Sequence, residues 1–395
     1  MIPATTDGVA AHKNPRLTRQ IRSALRNFHW AVTALLLVLF IPAFHSAGLP
    51  FNINWSRFFG TYWGGLMVRS VCAAAVLYLL GFPPRETLIP LWEHYRKQKG
   101  RFVVLVVFAA YVLWWFGWWI GVMLIVDTVA FLEFFDRISG DPAKLGRAAK
   151  DIALPAAYFF VGLVLVFCYN DVIASLEFVG KYSSAYNRLD SILLGGYTIS
   201  QIAHAVAQRV PVSTFSFLEV IYFGMFGQIG AAIILTATKF GRKRTLSFVG
   251  TMLTAYYLSL FIFSLWPGMS PFTICPNHFS RFPHSLAIYH VQEVTILKPR
   301  LLWEHALRPV IDTDYYIAFP CMHIALPAIA LWFVRPWKRI VVALAVYDAM
   351  LFIAILLLEQ HYLVDLIGGL VVAAISLAMV HGPKSETSDN MSLSQ

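Results

Sequence analysis

Three observations predict an all-α integral membrane protein, a multi-span helical bundle. The 395-residue chain is 58% hydrophobic and only 13% charged, where soluble domains carry about a quarter charged residues, and its mean hydropathy is positive. Apolar runs of about twenty residues, enough to cross a ~30 Å hydrocarbon core, recur along its length. Basic residues gather in the short connections between those runs, as they do in loops retained in the cytoplasm. Every backbone amide at membrane depth must be bonded internally, so each run is expected to be a helix.

In chain order the expected spans are 29–48, 62–82, 103–126, 153–177, 215–238, 245–266, 319–335, 339–358 and 362–381. The basic clusters between them are Lys13/Arg16/Arg19/Arg22/Arg26, Arg96/Lys97/Lys99/Arg101, Lys239/Arg242/Lys243/Arg244 and Arg335/Lys338/Arg339. The formal charge of +10 therefore reads as membrane topology. A nucleic-acid surface would interleave basic and aromatic side chains on a polar face, and this chain does not. The span after the basic N-terminal stretch is too long for a signal peptide and lacks a small-residue cleavage site.

Placing the Lys239–Arg244 cluster inside sends 245–266 outward and makes 267–318 a long outer loop. The next three spans then run inward, outward and inward again, leaving His323 and His361 both on the non-cytoplasmic face. Upstream, clusters near 96–101 and 144–150 both favour the cytoplasm, with one apolar block of about thirty residues between them, long for one crossing and short for two. A tight hairpin broken at Gly117–Gly121 or a re-entrant segment near 196–213 would each restore consistency. Residues 178–214 read as an outer connection containing an amphipathic interfacial helix. The tail from Lys384 is short, polar and rich in serine, the composition of a disordered segment.

The chemistry concentrates in Phe319-Pro320-Cys321-Met322-His323 and His361-Tyr362-Leu363-Val364-Asp365. Residues four apart share a helix face, so Asp365 is placed to accept from one ring nitrogen of His361 and leave the other with a nucleophilic lone pair. Pro320 marks a helix start and puts His323 in the first turn, where it serves as acid and then base. A helix N-terminus also favours a phosphate. The competing reading is three unrelated interfacial polar residues, and the agreement of type, spacing and sidedness weighs against it.

These two motifs, with one apolar hairpin between them and Leu366-Ile367-Gly368-Gly369 following, resemble the second and third signature motifs of the type 2 phosphatidic acid phosphatase (PAP2) superfamily. The likeness is greatest to the branch of fungal inositol phosphorylceramide synthase, and more distant to sphingomyelin synthase. It covers roughly 151–381. The resemblance implies a six-helix core, a phosphohistidine intermediate and no metal or other cofactor, with His361 as nucleophile, Asp365 as its partner and His323 as leaving-group acid. Arg308-Pro309 resembles the end of the first motif, with Arg308 binding phosphate oxygens. The expected organisation is a basic segment 1–27, N-terminal helices 28–150, a PAP2-like core 151–383 and a tail 384–395.

The departures are informative. Cys321 stands for the usual serine and Met322 for the usual glycine, Ala354-Ile355 replaces Ser-Arg, and no lysine precedes Arg308 at the expected distance. A phosphate clamp is thereby weakened, and the transferase branch gains over a plain phosphatase. Arg281 and Arg300 are candidates to replace it, and Tyr362 and Glu359 to contact substrate; as alternatives, the arginines make loop or headgroup contacts and Glu359 caps a helix.

The expected partners are a lipid phosphate donor and a lipid hydroxyl or water as acceptor. The alternatives are a lipid or polyprenyl phosphate phosphatase and, in another class, a non-catalytic lipid transporter or scramblase. His278, His284, His290 and His305 in the outer loop lack metal-ligand spacing, so no metal is expected. Cys275 and Cys321 flank that loop, and either a disulfide between them or two free thiols fits their positions. Asp127 and Asp348 read as helix–helix contacts, and Asp312, Asp314 and Tyr315 as a solvated turn.

Overall fold

The computed structural model describes residues 23–46, 142–176, 181–274 and 318–381, with positions 107, 110, 286 and 288. Most of these residues are helical, with no strand among them. The elements are α1 (Phe28–Ser46), α2 (Pro142–Leu176), α3 (Ser183–Leu193), α4 (Ile199–Ala207), α5 (Val212–Leu265), α6 (Pro271–Ile274), α7 (Met322–Val334), α8 (Lys338–Leu357) and α9 (Leu363–His381).

Within α2, α5, α8 and α9 lie stretches long and apolar enough to cross a membrane, and Phe28–Phe40 and Met322–Val334 are shorter apolar helices. The expected spans at 62–82 and 103–126 lie outside the described residues apart from positions 107 and 110. At 54 residues, α5 would measure about 81 Å at 1.5 Å per residue, far beyond one crossing. Gly241 divides it. Its φ of 74° and ψ of −179° are non-helical, and a φ of that sign favours a residue without Cβ. The two expected spans 215–238 and 245–266 are thus the two halves of α5, meeting inside the Lys239–Arg244 cluster.

The second half of α5 is the centre of the bundle. Phe248, Val249, Met252, Leu253, Ala255 and Phe263 are fully buried along it, and α5 packs against α1, α2, α7, α8 and α9. The opposite faces of α8 and α9 leave Val342, Val346, Ile353, Leu370, Val371 and Ile375 exposed, the apolar exterior that a bilayer would cover. Buried hydroxyls fasten α1 to the bundle: Thr33 Oγ1 lies 2.6 Å from Tyr257 Oη and donates to the His29 carbonyl or pairs with the tyrosines, while His29 Nδ1 lies 2.8 Å from Tyr158 Oη.

The connection 178–214, in which an amphipathic interfacial helix is expected, is helical among its described residues. It contains two short helices, α3 and α4, separated by Gly195 and Gly196, both at positive φ. Thr198 begins α4 with a reciprocal capping box: its hydroxyl accepts from the Gln201 amide, and the Gln201 side chain accepts from the Thr198 amide. The helix expected at 153–177 begins earlier, at Pro142, and continues through position 150.

Candidate active site

The site forms where α7 and α9 begin and α8 ends. Cys321 is the N-cap of α7, so the helix starts just after Phe319-Pro320 and His323 falls in its first turn. On the other side, the amides of Leu358, Glu359 and Gln360 donate to the carbonyls of Ala354, Leu356 and Ile355, closing the last turn of α8. Glu359 then adopts φ 55° and reverses the chain, which leaves His361 in the turn before α9.

The two starts are clamped backbone to backbone. The Cys321 amide donates to the Asp365 carbonyl at 2.9 Å, and a Cβ built on Gly369 would stand 2.3 Å from the Cys321 carbonyl oxygen. Only a residue without a side chain allows α9 to approach that closely.

His361 is 4% exposed and Asp365 fully buried. His361 Nδ1 lies 2.8 Å from the Ala318 carbonyl oxygen and 3.4 Å from Asp365 Oδ2. A carbonyl oxygen only accepts, so Nδ1 carries a proton. Asp365 Oδ2 accepts from the Tyr362 amide at 2.8 Å, and Oδ1 has no hydrogen-bond partner among the described residues. Fixing the imidazole was expected of Asp365 alone; the Ala318 carbonyl is the closer partner. His361 Nε2 faces His323 Nδ1 at 3.1 Å, and the Tyr222 ring stacks on His323 with centroids 4.6 Å apart.

Electrostatics around His361 oppose one another. Burial pushes its proton affinity down, while Cys321 and Asp365 push it up, and the net direction is upward. An imidazole of raised basicity is also a stronger nucleophile once its Nε2 lone pair is free.

Of the residues predicted from sequence, His323, His361, Asp365, Tyr362 and Glu359 converge here. Tyr362 is buried with its ring beside Tyr186, centroids 5.8 Å apart. Glu359 is fully buried; the Ser200 hydroxyl is close enough to act on its carboxyl, but no contact of ordinary hydrogen-bond geometry reaches its carboxylate oxygens among the described residues. Burial raises its carboxyl to about 8, against a weaker opposing effect of the Ser200 hydroxyl. Arg281, Arg300, Arg308 and Cys275 lie outside the described residues, as do Asp312, Asp314 and Tyr315. Cys321 is a buried free cysteine.

One site residue escaped the sequence reading. Asp190 on α3, fully buried, accepts from the Leu363 amide at 2.8 Å and the Val364 amide at 3.0 Å. It caps α9 from a distance of more than 170 residues in the chain, satisfying donors that a helix start leaves unpaired. Burial raises its carboxyl to about 6, with those two amides opposing. The rest of α3 is tied to the same region. The Met269 amide donates to Ser183 Oγ, the Tyr186 hydroxyl donates to the Trp266 carbonyl, and the Tyr186 ring stacks on Phe319. Nothing in the local pattern around Asp190 points to position 363.

Two histidines with facing nitrogens, one of them oriented by a carbonyl and a buried carboxylate, are equipped for nucleophilic attack with proton transfer. No curated protein and no solved structure matches the chain. Residues 194–379, the stretch that contains Cys321, His323, His361 and Asp365, match the family model of the PAP2 superfamily.

Proposed function

We propose that this protein is a membrane lipid phosphotransferase, similar to inositol phosphorylceramide synthase, that moves a phosphate-containing group from a lipid donor to a lipid hydroxyl through a phosphohistidine on His361. The match to the PAP2 superfamily supports phosphatase or phosphotransferase activity on lipids. The observation that carries the reading is the 3.1 Å separation of His361 Nε2 and His323 Nδ1, with His361 Nδ1 engaged on its far side.

In the singly protonated pair, one proton lies between the two rings. When it resides on His323, His361 has a free lone pair and His323 is an imidazolium, so one position of that proton arms both groups. His361 Nε2 then attacks phosphorus and the N–P bond forms. The P–O bond to the donor breaks, and the leaving alkoxide takes a proton from His323. In the second half-reaction His323 removes a proton from the acceptor hydroxyl, the new P–O bond forms and the N–P bond breaks. Asp365 stabilises the positive charge on His361 as it develops. The chain's own residues complete this cycle with no metal step.

The positive-inside pattern supports placing the site at the non-cytoplasmic face. Arg308, and either Arg281 or Arg300, are the proposed phosphate ligands. The loss of the usual phosphate-clamping residues supports transfer to a lipid over simple hydrolysis.

The test uses full-length protein purified in detergent, given labelled lipid phosphate donors with and without a lipid bearing a free hydroxyl. Transfer predicts a new phospholipid that requires the acceptor, and an acid-labile, alkali-stable phosphoryl label on wild type that is absent from His361→Ala. Release of free phosphate at the same rate without acceptor would favour the phosphatase. Unimpaired turnover by His361→Ala would overturn both.

A further inference from the structure

The site contains a third group that phosphoryl transfer does not use. Cys321 Sγ and one ring nitrogen from each of His323 and His361 lie within 4.8 Å of one another. A tetrahedral zinc ion, with Zn–N near 2.0 Å and Zn–S near 2.3 Å, sets its donors about 3.3–3.6 Å apart. The two histidine nitrogens are already at 3.1 Å, and small side-chain rotations bring the three into range.

The donor set is selective. A thiolate with two imidazoles suits zinc, whereas magnesium and calcium require oxygen ligands. The surroundings also match what a metal-ligating histidine needs. Its second nitrogen is usually held by a carbonyl or carboxylate that orients the ring, and His361 Nδ1 meets both, the Ala318 carbonyl at 2.8 Å and Asp365 at 3.4 Å. Three protein donors leave the fourth tetrahedral position for a water or an anionic oxygen.

We propose that Cys321, His323 and His361 form a binding site for a thiophilic divalent cation, zinc above all, that competes with phosphoryl substrates. On binding, the Cys321 thiol proton and the proton held between the two imidazoles pass to water, and the thiolate and two imidazole nitrogens each donate an electron pair to the metal. The cation thereby occupies the His361 lone pair that would attack phosphorus, so metal binding and phosphoryl transfer exclude each other. That inhibitory consequence rests on the proposed function; the binding itself does not.

The experiment uses full-length protein in detergent micelles, stripped with a chelator and titrated with Co²⁺ alone. The expected result is a near-ultraviolet thiolate-to-cobalt charge-transfer band that saturates at one equivalent and disappears when Zn²⁺ is added. Cys321→Ser should lose the band and bind Zn²⁺ at least about tenfold more weakly, and His323→Gln should weaken Zn²⁺ binding by a similar factor. If Cys321→Ser does not fold, His323→Gln decides the matter. Absence of the band in folded wild-type protein, its survival in Cys321→Ser, or unchanged Zn²⁺ affinity in His323→Gln overturns the site. Turnover that continues with Zn²⁺ bound overturns the inhibition alone, because the cobalt spectrum does not depend on lipid chemistry.

Discussion

Asp190 caps the helix that Leu363 begins: a carboxylate on α3 accepts the Leu363 amide at 2.8 Å and the Val364 amide at 3.0 Å, two and three residues beyond His361. The orientation of α9, and with it the spacing of His361 and Asp365, is set partly by a side chain outside the stretch that matches the PAP2 superfamily.

Removing that cap should disturb the site without removing any reacting group. Asp190→Ala leaves two part-buried amides without their cap, at a cost of roughly 0.5–2 kcal/mol in stability. The catalytic rate should fall more than substrate affinity. Thermal unfolding and steady-state kinetics of Asp190→Ala and Asp190→Asn check this, with Asn, which keeps one acceptor oxygen, expected to recover part of the loss.

The residues proposed to react should differ in what their loss does. His361→Ala should abolish turnover and phosphoryl labelling together. His323→Ala should lower the rate on the order of 10²–10⁴-fold while still allowing slow labelling from a donor with a good leaving group. Asp365→Asn should lower both, because the buried carboxylate orients His361. Rapid-quench labelling with activated and unactivated donors separates the three.

Glu359 makes stability depend on pH. Its carboxyl is raised from 4.5 to about 8, so between those values the folded state holds a proton that the unfolded chain has released. Unfolding free energy then falls as pH rises through that window, by an amount on the order of a few kcal/mol. The cost is absent below about 4.5 and complete above about 8. Glu359→Gln should flatten the decline, seen as a smaller drop in unfolding midpoint between pH 5 and pH 8.5 than in wild type.

Gly369 tests how closely α7 and α9 must approach. Gly369→Ala places a methyl group 2.3 Å from the Cys321 carbonyl oxygen, and backbone must move to admit it. A loss of about 1–3 kcal/mol is expected, with reduced activity as the Cys321–Asp365 hydrogen bond lengthens. Gly146→Ala, exposed on α2 and meeting nothing within 4 Å, is the control: activity should be unchanged and stability unchanged or raised by up to about 1 kcal/mol, because alanine favours a helix over glycine.

Much of the helical framework was legible because bilayer thickness imposes a length on apolar runs. The helices Lys338–Leu357 and Leu363–His381 lie within two residues of the spans expected from composition. Irregular segments were harder. The 178–214 connection carries no strong period over enough residues to separate two short helices from one, and its break depends on the backbone freedom of Gly195 and Gly196. The pair His361 and Asp365 could be read directly because helical spacing alone relates residues four apart.

By itself, the sequence determined the helical, apolar character of the described segments and the places of His323, His361 and Asp365 at helix ends, since both follow from local composition and short-range spacing. Only the tertiary structure decided which nitrogens face each other, that the Ala318 carbonyl holds His361 more closely than Asp365 does, that Cys321 joins the two histidines, and that Asp190 caps α9. Those relations join segments up to 174 residues apart. They arise from the packing of helices against one another, where buried polar groups must find partners across the fold.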